Sequence, residues 1–598
     1  MADADVSSIA EAVEFLKLGD LVKAARAANA VGESNPDALH LLGLVRCEQN
    51  LHSEALDFFN RSLAERPGHP HVLTNLGKTL KFLGRNAEAV SAFNAALAGQ
   101  PDLADALCEL GELQYRAGDY AEAESLLQRV LVQMPNHAQA QLWLGLVFKD
   151  SGRLAEAEAL LGAGLIQARE TSLKATFVYY LASAQHQQGK KERALDNFAL
   201  ASRLNPQFNA DADLKRAEIL EEMQRSDEAV ALLERILARE PGNVAVHGAY
   251  NNLLYRLGRD ETFLTSYDRA PKSPALLASK ADLLLKRGRP AEAQSLYSEV
   301  LKSEPDNVQA AVGVAAALSG LNRNAEAVAL LEQTLRHQPE SSELYHTLAC
   351  TALQLRDPQK AAAMAEQSLR IAPTDQAGLA LLGTAWRMMG DARDETLNGY
   401  NELIRVFDLE PPQGYSSMED FNIELNAWLS GLHTDAREPL QQSLRGGSQT
   451  PGYIFGRGHT LAERLKVRIE EAITSYLAAM KPDAKHPFRG RRGRGFRFRD
   501  SWSSRLRDGG FHANHIHRGG WISSCYYVAL PEAVKDESGK QGWIKFGEPG
   551  FEVGLSLRRA VQPKVGRLVL FPSYMWHGTV PFREKAARTT IAFDVIPN

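Results

Sequence analysis

VLTNLGKTLKFLGRNAEAVSAFNAALAGQP, residues 72–101, decides the fold of most of the chain. Apolar residues recur at helical spacing on both sides of Gly84, and Pro101 closes the stretch, so it reads as helix, tight turn, helix. The same unit recurs outward in both directions. Gly43, Gly77, Gly111 and Gly145 stand 34 residues apart, and Ala55, Ala89, Ala123 and Ala157 keep the same step. Gly84, Gly118 and Gly152 share it, as do Pro67, Pro101 and Pro135. The rhythm slips at Ala194 and Ala229, blurs between 245 and 285, then resumes at Ala293, Ala327 and Ala361, each followed by Pro305, Pro339 or Pro373. The small residues allow close approach of neighbouring helices. One helical pair cannot bury its own apolar face, so the units must stack as a solenoid.

This pattern resembles the tetratricopeptide repeat. The resemblance covers about residues 10–392 and about ten units, with a divergent one near Ala24 and a poor one near Phe263. It implies a groove that binds a protein or peptide segment, with a spacer or scaffold as the alternative. Asn75, Lys78, Tyr115 and Lys149 fall on the first helices that would line such a groove, where most polar residues are simply solvated.

Composition narrows the class. At 598 residues the chain exceeds a single core, and a net charge of −5 argues against a general nucleic-acid or membrane-surface binder. Cys47, Cys108, Cys350 and Cys525 are scattered without a CxxC pair, which suits a reducing compartment. The first residues, MADADVSSIAEAVEFLKLGD, are acidic and lack the apolar run of a leader, and no segment has a membrane span's length of apolar residues. The expectation is a soluble cytoplasmic protein with no membrane partner.

After Gly390 the period stops, and Pro411–Pro412 marks a break. The expected division is a repeat solenoid over 1–392, a junction over 393–415 and a second domain over 416–598. MEDFNIELNAWLSGLH and GHTLAERLKVRIEEAITSYLAAM read as amphipathic helices. FRFRDSW, WISSCYYVAL, RLVLF and TTIAFDVI read as strands. The fold class is therefore α + β multidomain, an α-solenoid followed by packing helices on a β-sandwich or jelly roll.

Within the β-rich part, His515 and His517 are i and i+2 of an extended segment and can face one point. His577 follows the strand RLVLF, about 60 residues on. A close pair plus one distant histidine is the chain layout of a facial triad on a double-stranded β-helix, which leaves positions open on a redox-active metal. Arg588 and Thr590 share one face of the last strand, and a guanidinium can grip a carboxylate with two parallel bonds.

QSLRGGSQT, NHIH, SSCYYVALP, GRLVLFPSYMWHGTVP and RTTIAFDV together resemble the 2-oxoglutarate- and iron(II)-dependent oxygenases. The nearer resemblance is to a bacterial subgroup of that family fused to tetratricopeptide repeats. It implies Fe(II) and 2-oxoglutarate as cofactors, with His515 and His577 as iron ligands. Arg588 would bind the far carboxylate of 2-oxoglutarate, assisted by Thr590 and Tyr527. No catalytic side chain beyond the metal ligands is implied. His517 departs from the pattern, since most of the superfamily carries a carboxylate there. Either His517 is itself the third ligand, or it lines the site while a water or another carboxylate fills the position, or the metal is not iron, or the domain is a decayed relative. His512 with Asn514 has the same spacing but a poorer ligand set and ranks second. His40, His186 and His337 read as packing or surface residues, and Cys525 as a small core residue.

FRGRRGRGFRFR, residues 488–499, interleaves arginine with phenylalanine, as single-stranded RNA binders do. The plainer reading puts Phe496 and Phe498 in the core and the arginines in solvent, so no nucleic-acid partner is assigned. The expected function is a dioxygenase that hydroxylates a side chain of a protein or peptide recruited by the repeats. The alternatives are a small-molecule oxygenase that uses the repeats for docking, and a non-catalytic scaffold.

Overall fold

The structure is a computed structural model and describes residues 2–32, 34–205, 209–434, 437–440, 442–450 and 453–597. Packing divides the chain into two compact units, Met1–Phe208 and Asn209–Asn598.

The first unit is made of antiparallel helical pairs. Pro70–Phe82 packs on Asn86–Gly99, and Ala104–Ala117 on Tyr120–Gln133. Gly84 and Gly118 take φ of +75° and +84°, the left-handed conformation that ends the first helix of each pair. Gly77 has a different duty. A Cβ there would stand 2.6 Å from Cε1 of the fully buried Phe93, so the bare backbone is the seat of the neighbouring ring. Gly43 seats Phe59 in the same way, and Gly111 seats Leu127. The 34-residue period is thus the repeat of one steric contact.

The polar first-helix positions Asn75, Lys78 and Tyr115 bond to adjacent repeats. Asn75 meets His40 at 2.8 Å, Lys78 pairs with Asp105 at 2.9 Å, and the Tyr115 hydroxyl donates to Asp150 at 2.6 Å. Lys149 pairs with Asp150 as well.

The second unit opens with further pairs. Where the period blurs, Val244–Arg256 is followed only by the short helix Thr265–Asp268. Buried Asn251 holds this irregular stretch by accepting the Leu264 N–H at 2.6 Å, while Leu264 sits at φ +68°. Regular pairs resume at Pro274–Lys286 and continue to Gln376–Met389, which ends on left-handed Gly390.

Among the described residues nine strands follow: β1 Arg405–Asp408, β2 Leu444–Gln449, β3 Arg497–His512, β4 Ile522–Ala529, β5 Ile544–Phe546, β6 Arg559–Val561, β7 Arg567–Pro572, β8 His577–Thr579 and β9 Arg588–Ile596. They form two antiparallel sheets, one ordered β1-β7-β4-β9-β3-β2 and the other β6-β5-β8. Phe546 of the small sheet stacks edge-on against Phe571 of the large one at 5.0 Å. On the other face of the large sheet lie helices Met418–Ser430 and Thr460–Ala479, whose Phe421, Leu425, Leu465 and Ile473 enter the same core. Covered on both faces, β4 is buried continuously from Ile522 to Val528 rather than at alternate positions.

The last repeat helices belong to this core too. Leu379 and Ala380 are buried with the sheet residues, Thr384 Oγ1 accepts from the Trp576 indole at 3.0 Å, and Arg387 donates to the carbonyls of Gly547 and Ser556. Part of the basic run is spent on packing, while Arg497 and Arg499 are exposed. Phe488 is buried, Phe496 and Phe498 lie against the core, Arg489 pairs with Glu402, and Arg492 caps the Met480 carbonyl.

Two outcomes follow. Helix propensity favours alanine over glycine by up to about 1 kcal/mol, but overpacking costs roughly 1–3 kcal/mol, so the clash wins at Gly77. Gly77→Ala should lower the urea midpoint, whereas Gly248→Ala, whose Cβ meets nothing within 4 Å, should raise it. His433, wedged between the Ser448 and Ser503 hydroxyls, is held down to about 4 by burial and then by Arg505 and Arg507. A histidine depressed on folding contributes stability that is complete above its unfolded value, about 6.5, and is lost as pH falls toward 4. His433→Gln should therefore flatten part of the fall in unfolding free energy across that window.

Candidate metal centre

Backbone pairing brings the histidines together. His515 and His577 exchange both N–H···O bonds, at 2.9 and 3.0 Å, so the two residues lie directly opposite and project to one side. His517, two residues on, is pinned by its N–H to the Ser573 carbonyl at 3.0 Å. Ring centroids are 4.2 Å apart for His515 and His577, 5.1 Å for His515 and His517, and 5.0 Å for His517 and His577. The ligand atoms of all three lie within 4.8 Å of one another. Among the described residues this is the single cluster of its kind.

Each ring is held from behind. Nδ1 of His515 bonds the Ala513 carbonyl at 2.8 Å, Nδ1 of His577 the Met575 carbonyl at 2.9 Å, and Nδ1 of His517 the Asp594 carboxylate at 2.6 Å. These acceptors place the proton of a neutral ring on Nδ1 and leave its Nε2 as a lone-pair donor. Burial, followed by the neighbouring imidazoles, holds His515 down to about 3 and His577 well below the usual histidine range. Nε2 of His515 and of His517 face each other at 3.1 Å. Two lone pairs at that distance repel unless a cation lies between them. A cation held by both nitrogens would relieve that repulsion. The donor set fits a metal ion, and imidazole suits iron.

The other site residues lie on β9 and its neighbours. Thr590 is in register with Ser504 of β3 and Tyr527 of β4. Arg588 is fully buried, donates from Nε to the Gly542 carbonyl at 3.0 Å, and lies 5.1 Å from the centre of the Tyr527 ring. Neither Nη1 of Arg588 nor the Tyr527 hydroxyl has a hydrogen-bond partner of ordinary geometry, and burial pushes that phenol up. A buried guanidinium with an unspent N–H fits a carboxylate ligand.

Residues 500–594 match a family model described as "Putative 2OG-Fe(II) oxygenase", and tetratricopeptide-repeat models match 9–70, 74–136, 114–175, 185–253, 284–349 and 342–375. The chain carries tetratricopeptide repeats and a C-terminal 2OG-Fe(II) oxygenase domain. Among solved structures, yeast Tom70 is similar at 15% identity over 66% of this chain and 97% of its own, with a TM-score of 0.36. PilF of Pseudomonas aeruginosa is similar at 19% identity over 37% of this chain and 96% of its own, TM-score 0.32. YrrB, a TPR protein with an unusual peptide-binding site, is similar at 20% identity over 31% and 93%, TM-score 0.27. No curated protein matches the chain. No helix among the described residues is long and apolar enough to cross a membrane.

A cavity of about 780 Å³ in the second unit joins these parts of the oxygenase domain. The three histidines, Arg588 and Thr590 line it, while Tyr527 lies behind Arg588 and outside the lining. His512 also faces the cavity but bonds the Ser443 hydroxyl, which in turn reaches His515 Nε2, each at 3.2 Å, and it lies outside the histidine cluster. Cys525 is on the wall, buried, its thiol pushed up by burial.

Sequence reading missed three features. Asp594 was available from alternation, since 588, 590, 592 and 594 share one face of β9 and all four line the cavity. Glu218 and Arg256 come from repeat helices Asn209–Glu222 and Val244–Arg256, and nothing in their local sequence points to the site. Ser504 brings a buried hydroxyl without a partner, likewise invisible before the strands are paired.

Anaerobic titration with Co(II) should show binding by the full-length chain, and His577→Ala should abolish it. Retention of Co(II) by that variant would remove the cluster as the metal site.

Proposed function

We propose that this chain is a 2-oxoglutarate- and Fe(II)-dependent dioxygenase that hydroxylates a side chain of a protein or peptide brought to it by the repeats. The observation that carries this reading is the convergence of three back-anchored imidazoles beside a buried arginine with an unspent N–H. His515, His517 and His577 would hold the metal through Nε2. Arg588 would clamp the far carboxylate of 2-oxoglutarate, Thr590 would donate its hydroxyl beside it, and the Tyr527 ring would fix the guanidinium plane from behind. Bound Fe(II) with 2-oxoglutarate supplies the oxidation, in which oxygen is consumed, the keto acid loses carbon dioxide to become succinate, and one oxygen atom reaches the substrate. The chain keeps the reacting carbon close and limits bulk water, with Trp502 and Ile516 on the wall for that purpose.

The repeats favour a macromolecular substrate, because Glu218 and Arg256 of the repeat helices form part of the same cavity wall. A scaffold reading has to account for a fully buried guanidinium whose Nη1 has no hydrogen-bond partner among the described residues. We assign residues 1–392 to the repeat region, 393–415 to the junction and 416–598 to the oxygenase region. Four free cysteines agree with a cytoplasmic setting.

The test uses the full-length chain, because Leu379 and Ala380 of the repeats belong to the core beneath the sheets and a repeat deletion would damage the fold. Purified protein with Fe(II) should convert 2-oxoglutarate to succinate. Arg588→Ala should weaken 2-oxoglutarate binding by about 10- to 100-fold, the loss expected for charge-assisted hydrogen bonds, while Co(II) binding persists. Proteins of a cell extract should gain 16 Da after treatment with the wild-type chain and not with Arg588→Ala. Absence of succinate, together with unchanged 2-oxoglutarate binding in Arg588→Ala, would end the enzyme reading.

A further inference from the structure

Two of the three imidazoles are backed by neutral carbonyls; the third is backed by a carboxylate. His517 is that third ring, and it occupies the position where the resemblance leads one to expect a carboxylate ligand. Asp594 Oδ1 accepts from His517 Nδ1 at 2.6 Å and from the Ser523 hydroxyl at 2.6 Å. The Ser523 hydroxyl is 2.8 Å from that of Ser573, whose carbonyl takes the His517 N–H. Gly520 closes this corner. A Cβ there would lie 2.4 Å from Ser573 Oγ and 3.3 Å from the Asp594 carboxyl carbon, so the backbone packs directly against the pair.

The carboxylate is buried, and among the described residues its ion-pair partner is His517, with no guanidinium or ammonium beside it. An anion taken out of water needs a compensating charge. A neutral imidazole supplies a hydrogen bond but no charge. A dication on the far nitrogen of that imidazole supplies both.

We propose that Asp594 delivers to the metal centre, through His517, the negative charge that a directly ligating carboxylate would otherwise provide. Asp594 is then a positioning residue. It fixes the His517 tautomer, raises the donor strength of Nε2, and offsets part of the charge of the metal. The facial-triad carboxylate has in effect been moved one imidazole outward. This inference rests on reading His515, His517 and His577 as metal ligands.

The experiment is anaerobic Co(II) titration of full-length variants, followed by the visible absorption of the bound ion. Asp594→Asn keeps the shape and removes the charge, and should weaken Co(II) binding about 10- to 100-fold while shifting the absorption bands. The sign should reverse when a carboxylate is placed at the metal itself. In a His517→Asp background, Asp594 becomes a second, unpaired buried anion, so adding Asp594→Asn should tighten Co(II) binding relative to His517→Asp alone. A carboxylate with a merely structural role would leave Co(II) affinity and spectrum unchanged in Asp594→Asn, or would make that substitution harmful in both backgrounds. Either result overturns the proposal. If Asp594→Asn alone is unfolded by circular dichroism, the comparison within the His517→Asp background decides. If the wild-type chain binds no Co(II), the metal reading falls and this inference with it. Wild-type binding with an indifferent Asp594→Asn sinks the inference alone.

Discussion

Three imidazole lone pairs aimed at one point in a half-dry pocket constitute the constraint on which the oxygenase domain is built. Nδ1 of each ring faces an acceptor, which turns Nε2 toward the common point, and burial holds His515 and His577 in the neutral form. Lone pairs held this close repel one another, so the surrounding structure must hold them against that repulsion. It does so with backbone: the reciprocal bonds between His515 and His577, the His517 N–H on Ser573, and the Phe546–Phe571 contact that joins the two sheets under β8. Strand pairing, sheet packing and burial therefore converge on a donor set that a cation would relieve.

The repeats are tied to that constraint physically. Thr384, on the repeat helix Gln376–Met389, accepts from the indole of Trp576, the residue before His577. Arg387 of the same helix fastens the chain just after β5 through the Gly547 carbonyl, and Leu379 and Ala380 share the core of the sheets. Further along, Arg437 makes a two-pronged contact with Asp260, joining the segment that leads to β2 to the irregular repeat. The second compact unit accordingly begins at Asn209, within the repeat series. Glu218 and Arg256 of these repeats stand at the cavity wall with the histidines.

Much of this was legible in the sequence, for reasons that differ by element. The 34-residue period is legible because one contact, a glycine under the ring or branched side chain of its neighbour, is made again at Gly43, Gly77, Gly111 and Gly145. Strands β3, β4, β7 and β9 are legible because burial on one or both faces imposes alternation or continuous apolarity. His515 and His517 share a side because residues two apart in extended chain always do. The irregular repeat after Arg256 is visible only as a lapse in the pattern. Its structure rests on Asn251 reaching a backbone N–H thirteen positions away, a contact with no periodic signature.

The sequence by itself determined the helical repeat, the β-rich tail, and a short set of residues able to meet: His515, His517, His577, Arg588 and Thr590. Local rules suffice for these, since helical and extended periodicity fix which side chains share a face. Tertiary structure decided what stands behind and around them. Asp594 lies 77 residues from His517 and meets it only because the loop before β4 folds back against the far end of β9. Glu218 and Arg256 reach the cavity because later repeats pack with the oxygenase domain in one unit. Hydrogen-bond partners and cavity walls come from chain segments brought together by packing, and no spacing along the sequence encodes that encounter.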